Sequence, residues 1–197
     1  MDRRSFLSAA AGFGALAFSP ETLLAAQANA GDWTLGFADV EADVGPRALR
    51  LVRGRPPEDL EGVLFRNGPA KFRRPGGSAT HWFDGDGLVR RYAIGGGRAT
   101  LSARFPDTVK RRADAAADAV VSPGFGTKGA PAAQVRGPDD VNAANTSVMM
   151  AGQDLWALWE GGSPVALDPK TLATRGVHTF RPDLKGMPFL AHPRYDP

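Results

Sequence analysis

Glycine and proline divide this 197-residue chain into short apolar segments, a pattern typical of strands joined by tight turns. The stretch from Gly62 to Val89 shows the pattern most clearly. Residues 63–65 predict a short strand that stops at the turn sequence NGP, and residues 81–83 predict a second strand. The sequence DGDG at 84–87 then fits a tight hairpin loop, because glycine adopts positive φ angles without strain. The pattern predicts an all-β fold.

The rest of the chain continues in the same way. Residues 88–94 and 99–105 flank the glycine-rich sequence GGGR and predict a β-hairpin. One or two helical turns are predicted at 113–119, and a loop rich in glycine and proline at 122–138. A second group of antiparallel strands is predicted at 145–150, 154–160 and 164–167. Four such strands would form one blade of a propeller, but without a clear sequence repeat a sandwich fits the residues equally well.

Composition excludes several classes of protein. With 43% hydrophobic and 23% charged residues, the chain has the composition of a soluble globular domain. Its formal net charge is +3, and its basic doublets at 73–74 and 111–112 lack interleaved aromatic residues, so no nucleic-acid partner is expected. The sequence contains no cysteine, which excludes disulfides, thiolate zinc sites and iron–sulfur clusters.

The first 30 residues resemble a targeting segment. Arg3 and Arg4 precede an apolar run rich in alanine and glycine at 9–18, and small-residue cleavage signals follow at 26–30. This order predicts a twin-arginine signal peptide over 1–30 and a mature domain over 31–197 that is periplasmic or exported. A short amphipathic or buried helix is the alternative. The apolar run is well short of the roughly 20 residues that a membrane-spanning helix needs.

A series of motifs gives the chain a family resemblance. In order, they are RNGP at 66–69, HWFDGDG at 81–87, FGT at 125–127, NT at 145–146, WALWEGG at 156–162, LDP at 167–169, TLAT at 171–174 and AHPRYDP at 191–197. Each motif is weak alone, but their order and spacing resemble the N-terminal third of the carotenoid cleavage oxygenases. Members of that family are non-haem iron enzymes that split polyene and stilbene double bonds with dioxygen. The resemblance implies a seven-bladed β-propeller, of which this chain would supply about two to three blades.

The resemblance assigns one metal ligand, His192. Its AHPRYDP segment is similar to a family signature whose histidine is the first of four Fe(II) ligands, and imidazole suits ferrous iron. The family counterparts of His81 and His178 are not ligands, so a structural role is expected for both. Asp84 and Asp86 are interpreted as turn-capping side chains rather than as an acid–base pair or a calcium loop.

The resemblance also implies the activity of a complete protein. That activity is oxidative cleavage of a conjugated C=C bond, with dioxygen and an apolar carotenoid, apocarotenoid or stilbene-type molecule as substrates. A membrane surface is a further expected contact during substrate uptake. Because one of four histidine ligands is present, the chain itself is expected to be an inactive N-terminal fragment. The alternative is a non-catalytic exported propeller fragment or interaction module. Carotenoid and stilbene substrates, and cleavage and isomerisation, remain open alternatives.

Overall fold

Two four-stranded antiparallel sheets are the main elements of the computed structural model, which describes residues 33–131 and 133–194. The strands are β1 (Val44–Ala48), β2 (Gly62–Arg66), β3 (Pro69–Lys71), β4 (Arg73–Arg74), β5 (Gly77–Ser78), β6 (Asp86–Gly87), β7 (Val89–Gly95), β8 (Arg98–Arg104), β9 (Ser147–Ala151), β10 (Asp154–Leu158), β11 (Val165–Leu167) and β12 (Thr174–Val177). The first sheet has the order β1-β8-β7-β2, and the second has the order β12-β11-β10-β9. Two small ribbons pair β3 with β6 and β4 with β5. The prediction of an all-β fold is confirmed.

Helical structure is confined to short pieces in the part of the chain that the structure describes. The α-helix α1 covers Val109–Ala116. Single 3-10 turns cover Trp33–Phe37, Trp82–Asp84, Pro138–Val141 and Pro182–Leu184. None of the described helices has both the length and the apolar character needed to cross a bilayer. The predicted signal peptide at 1–30 lies outside the described residues.

The predicted hairpin between residues 88 and 105 is confirmed as β7 and β8. Their register runs from Val89 opposite Arg104 to Gly95 opposite Arg98. Between them, Gly96 and Gly97 have φ angles of +55° and +71°, the left-handed conformation that a two-residue hairpin turn requires. The second strand group is also confirmed, because β9, β10, β11 and β12 follow one another as an antiparallel meander.

The main core lies where the two sheets meet. Phe65 of the first sheet and Val148 of the second pack against a cluster of buried side chains, which are Val89, Ala144, Leu155, Ala157, Val165, Leu167 and Leu172. Strand β10 is buried on both faces, because Trp156 and Leu158 point away from this cluster and join a second one with Ala166 and Ala191. One face of β10 therefore packs in the core between the two sheets, and the other face packs against Ala191.

The structure corrects the prediction for residues 81–87. Residues 82–84 form a 3-10 turn rather than a strand, and the His81 ring caps it by accepting a hydrogen bond from the Phe83 amide at 3.1 Å. Residues 86 and 87 do not belong to a hairpin loop, because they form β6 and pair with β3. The aromatic residues at 81–83 are therefore displayed on a turn instead of being buried in a sheet.

The predicted helical turns at 113–119 begin earlier, at Val109. The Thr108 hydroxyl accepts a hydrogen bond from the Arg111 amide at 3.1 Å and so caps the first turn. The helix ends at Ala116, and Asp118 then takes a left-handed φ of +48° that breaks the helical path. The loop predicted at 122–138 has no strand or helix among its described residues before Pro138.

Gly87, in the β3–β6 ribbon, packs closely against the segment that precedes β9. Its amide donates to the Ala143 carbonyl at 2.9 Å, and an added Cβ would lie 2.1 Å from the Ala144 carbonyl oxygen. Because the obstructing atom is backbone, we expect Gly87→Ala to lower the free energy of unfolding by about 3 kcal/mol. Urea denaturation of the two proteins measures the difference.

Gly45→Ala provides the control for this prediction. Gly45 lies in β1, and no atom would come within 4 Å of a Cβ added there. Its expected change in the free energy of unfolding is within about 0.5 kcal/mol. Equal stability of the Gly87→Ala and Gly45→Ala proteins would contradict the close approach at Gly87.

Candidate metal and substrate site

The segment that leaves β10 forms one side of a candidate site. Residues 159–162 carry the sequence WEGG, and a Cβ at Gly162 would lie 2.5 Å from the Asn142 side chain, so only glycine fits there. The Phe189 amide donates to the Gly162 carbonyl at 2.9 Å. This contact brings the end of the described chain back alongside the residues that follow β10.

Two further contacts fix the residue before His192. The Ala191 amide donates to Oε2 of Glu160 at 3.3 Å, and the Ser147 hydroxyl donates to the Ala191 carbonyl. Ala191 itself is fully buried. The backbone at His192 is thus held against both β9 and the end of β10.

His192 is oriented by Glu160. Its Nδ1 atom lies 3.1 Å from Oε1 of Glu160. An ionised carboxylate only accepts hydrogen bonds, so the neutral ring carries its hydrogen on Nδ1 and donates it to Glu160. The Nε2 atom then keeps a lone pair that is free to bind a metal. The His192 side chain is 72% exposed, so a metal and additional ligands would reach it without displacing protein atoms.

A cavity of about 820 Å³ opens beside this pair, with both His192 and Glu160 on its wall. Four aromatic side chains, Trp82, Phe83, Phe125 and Trp159, dominate the remaining wall. The other wall residues are Asn67, Gly68, Pro69, Pro123, Gly124, Val141, Asn145, Thr146 and Gly161. The cavity is large enough for a small conjugated molecule and offers it mainly apolar contacts.

The amide side chains on this wall are already bonded to backbone. Asn67 donates to the carbonyls of Ala144 and Ser147 at 2.8 and 3.1 Å. Asn145 donates to the carbonyls of Phe83 and Gly85 at 2.6 and 2.8 Å. These contacts satisfy the amide donors and fix the turn that carries Phe83. These two asparagine side chains therefore shape the cavity more than they supply hydrogen bonds to its contents.

The aromatic residues near the mouth pack against one another. The rings of His81 and Phe125 have centroids 4.8 Å apart, and those of Phe83 and Phe125 lie 5.6 Å apart. His81 also contacts Phe83 edge to face at 4.8 Å. His81 thus supports the aromatic wall through its contacts with Phe83 and Phe125.

His178, Asp84 and Asp86 each make contacts with other parts of the fold. His178 packs its ring on Trp156 at a centroid distance of 4.4 Å. Asp84 caps residues 125–127 of a distant loop instead of its own turn, and Asp86 lies in a buried ion cluster with Lys110 and Arg74. The interpretation of Asp86 as a turn cap was wrong, because the packing of α1 brings Lys110 to it.

Among residues 33–131 and 133–194, no three or more metal-ligating side chains come together. His192 with Glu160 is therefore a single-histidine site in this part of the chain. The sequence motif around His192 does not indicate its partner Glu160, which stands in the separate WEGG motif. The signal in the sequence is the carboxylate of Glu160, which follows Trp159 at the end of the predicted strand 154–160.

Comparison with known proteins places the chain in a family. Residues 37–197 match the family model described as retinal pigment epithelial membrane protein, RPE65. The apocarotenoid-15,15'-oxygenase of Synechocystis is 34% identical over 91% of this chain and 36% of its own length. The resveratrol cleavage oxygenase 1 of Aspergillus fumigatus is 34% identical over 74% of this chain and 29% of its own length.

Solved structures agree with these matches. The cobalt-substituted Synechocystis apocarotenoid oxygenase superposes with a TM-score of 0.70 at 34% identity, over 82% of this chain and 35% of that chain. This chain thus spans about a third of the length of the relatives it matches. The family match, the relatives and the shared fold agree with the motif series. The chain belongs to the RPE65 family of carotenoid cleavage oxygenases.

Proposed function

We propose that this chain supplies the N-terminal part of a non-haem Fe(II) dioxygenase that cleaves a conjugated C=C bond of a carotenoid, apocarotenoid or stilbene-type substrate. The observation that carries the proposal is the His192–Glu160 pair on the wall of an aromatic cavity. The relatives support it, since one is named an apocarotenoid oxygenase and another a resveratrol cleavage oxygenase. In this proposal the two four-stranded sheets are blades of a seven-bladed propeller, and the chain supplies about two to three of them.

The donor chemistry at His192 fits one position of an iron site. A neutral imidazole whose Nδ1 hydrogen is held by Glu160 presents Nε2 as a nitrogen donor, which suits ferrous iron. The cobalt-substituted relative supports a metal centre in this family. The bound iron would supply the activation of dioxygen. His192 is the first of four expected histidine ligands.

The chain's own residues have two further roles in this proposal. The aromatic wall offers an extended apolar substrate mainly apolar contacts. Glu160 keeps His192 in one tautomer and one orientation. A membrane surface is proposed as the source of such a poorly soluble substrate, and Phe125, 77% exposed, would be among the first side chains to meet it.

We also propose that the 197-residue chain alone has no oxygenase turnover. One imidazole forms no chelate, and the described residues bring no other histidine to His192. A chimera therefore tests the function directly. Residues 37–197 replace the matching third of the Synechocystis apocarotenoid oxygenase, which is 34% identical.

The chimera is expected to retain iron and to cleave a β-apocarotenal into two carbonyl products, detected by mass spectrometry. The isolated 197-residue chain is the control and is expected to do neither. A folded, iron-loaded chimera that cleaves neither a β-apocarotenal nor resveratrol would contradict the proposal. That result would favour a non-catalytic module.

The proposed location is the periplasm or the exterior, reached by the twin-arginine route. Replacing Arg3 and Arg4 with lysine is expected to keep a reporter fused after Ala30 in the cytoplasm, because the guanidinium pair, and not charge alone, is what the export pathway recognises. Fractionation of cells that express the two fusions measures the difference. Equal export of the lysine variant would contradict this route.

A further inference from the structure

Asp84 makes contacts that the proposed function does not use. Its carboxylate accepts hydrogen bonds from the amides of Phe125, Gly126 and Thr127 at 2.6, 3.0 and 2.8 Å. The Thr127 hydroxyl donates a fourth bond at 2.7 Å. Asp84 is only 4% exposed, so its side chain is buried beneath this loop. A single side chain thus holds a loop 41–43 positions away in the sequence.

The loop is shaped to fit this carboxylate. A Cβ at Gly124 would lie 2.4 Å from the Asp84 carboxylate, and a Cβ at Gly126 would lie 2.6 Å from Cβ of His81. Glycine at both positions lets the backbone approach closely enough for three consecutive amides to point at one acceptor. Thr80 adds two contacts at the same place, donating from its hydroxyl to the Gly126 carbonyl and from its amide to the Thr127 hydroxyl.

Phe125 is the residue that this arrangement places. It lies in a loop without strand or helix, and 77% of it is exposed, so little packing fixes its backbone. Its ring nevertheless lies on the cavity wall, against Phe83 and His81. Phe83 directly precedes Asp84 in the sequence, so the Asp84 carboxylate links Phe83 and Phe125, two of the four aromatic residues of the wall, through their backbones.

We propose that Asp84 is a positioning residue that holds Phe125 against Phe83 and thereby sets the width of the aromatic cavity for a conjugated apolar ligand. The proposal rests on the proposed function, because it takes this cavity to be the substrate site. Asp84 acts only through Phe125 and touches no part of the ligand.

The charge state of Asp84 agrees with this role. Burial alone would raise its pKa, but the hydrogen bonds from the Thr127 hydroxyl and from the amides of Gly126, Phe125 and Thr127 outweigh burial and hold the pKa below its usual value. The group is therefore a carboxylate at neutral pH, with two oxygens that only accept. An asparagine would place an NH₂ donor among four donors and lose part of the arrangement.

The test uses the full 197-residue chain and 1,6-diphenyl-1,3,5-hexatriene, a conjugated apolar probe whose fluorescence rises in an apolar cavity. Asp84→Asn and Phe125→Ala are each expected to weaken binding by about tenfold. The double variant is expected to bind no more weakly than Phe125→Ala alone, because Asp84 acts through Phe125. A general loss of structure would not give this dependence on Phe125.

Asp168→Asn is the matched control. Asp168 also accepts hydrogen bonds from two backbone amides, those of Lys170 and Thr171, and from the Thr171 hydroxyl. It lies in a turn outside the cavity wall. It is expected to leave probe binding unchanged. If Asp84→Asn does not fold, Thr127→Val removes one of the four donors and Thr127→Ser keeps it, so only the valine variant should weaken binding.

Hydrogen exchange distinguishes failure of the positioning role of Asp84 from failure of the proposed function. The amides of residues 125–127 are expected to exchange faster in Asp84→Asn than in the parent, whether or not a ligand is present. Unchanged exchange, unchanged probe affinity, or additive effects of Asp84→Asn and Phe125→Ala would each overturn the positioning role while leaving the proposed function intact. Failure of the parent chain to bind the probe would contradict the cavity as a polyene site, and with it the role of Phe125.

Discussion

Replacement of His192 by alanine in the chimera with the Synechocystis oxygenase is expected to abolish iron retention and cleavage together. The ring is held by Glu160 with its Nε2 atom free, and no other histidine of the described chain lies in that cavity wall to take its place. Iron content by mass spectrometry and carbonyl product by chromatography measure the two losses. Iron content and carbonyl product should fall in parallel, because cleavage depends on the bound iron.

Glu160→Gln and His178→Ala are the comparison variants for His192→Ala, the first with an intermediate expected loss and the second with none. Glutamine keeps the size of Glu160 but removes the charge that holds the His192 ring, so iron affinity or activity should fall by about 10- to 100-fold rather than to zero. His178 packs on Trp156 outside the cavity wall, and its replacement should leave the iron content unchanged. Full iron occupancy in the His192→Ala chimera would contradict the assignment of His192 as a ligand.

Lys110→Met is expected to cause the largest loss of stability. The Lys110 ammonium is 3% exposed and lies 2.8 Å from Asp86 and 3.0 Å from Asp114. Burial alone would lower its pKa, but the two carboxylates outweigh burial and raise it, so the group is charged at neutral pH. Methionine fills the same space but removes the cation from Asp114 and leaves Asp86 with its pair to Arg74. The free energy of unfolding should fall by about 3–5 kcal/mol, measured by urea denaturation.

Arg112→Met is the matched control on the same helix. Arg112 pairs with Asp107 at 2.9 Å, but both side chains are more than half exposed. Removing this pair is expected to cost less than about 1 kcal/mol, because solvent screens exposed charges. If Lys110→Met were no more destabilising than Arg112→Met, the buried ion cluster would not be what fastens α1 to β6.

The strands could be predicted because their signals are local. Two glycines with positive φ at 96 and 97 join β7 to β8, and such a turn is visible in the sequence itself. Residues 81–83 misled the prediction because three aromatic residues in a row have strand propensity, whereas the structure shows them on a capped turn. Propensity does not indicate that the His81 ring would cap that turn.

The candidate site could be predicted only in part, for a related reason. His192 stands in a distinctive motif, but Glu160 lies 32 positions earlier and reaches it only because Ala191 is fixed to Ser147 and Glu160. The loop at 125–127 is similarly distant from Asp84. Contacts of this kind depend on how the sheets and loops pack, which local periodicity does not encode.

The central claim is that His192 is an iron ligand on the wall of this cavity. A crystal structure of the iron-loaded chimera, with anomalous diffraction recorded at the iron absorption edge, tests it most directly. The account predicts an iron peak at bonding distance from Nε2 of His192, with Nδ1 still hydrogen-bonded to Glu160. An iron peak bound by other residues, with Nε2 of His192 facing solvent, would contradict it.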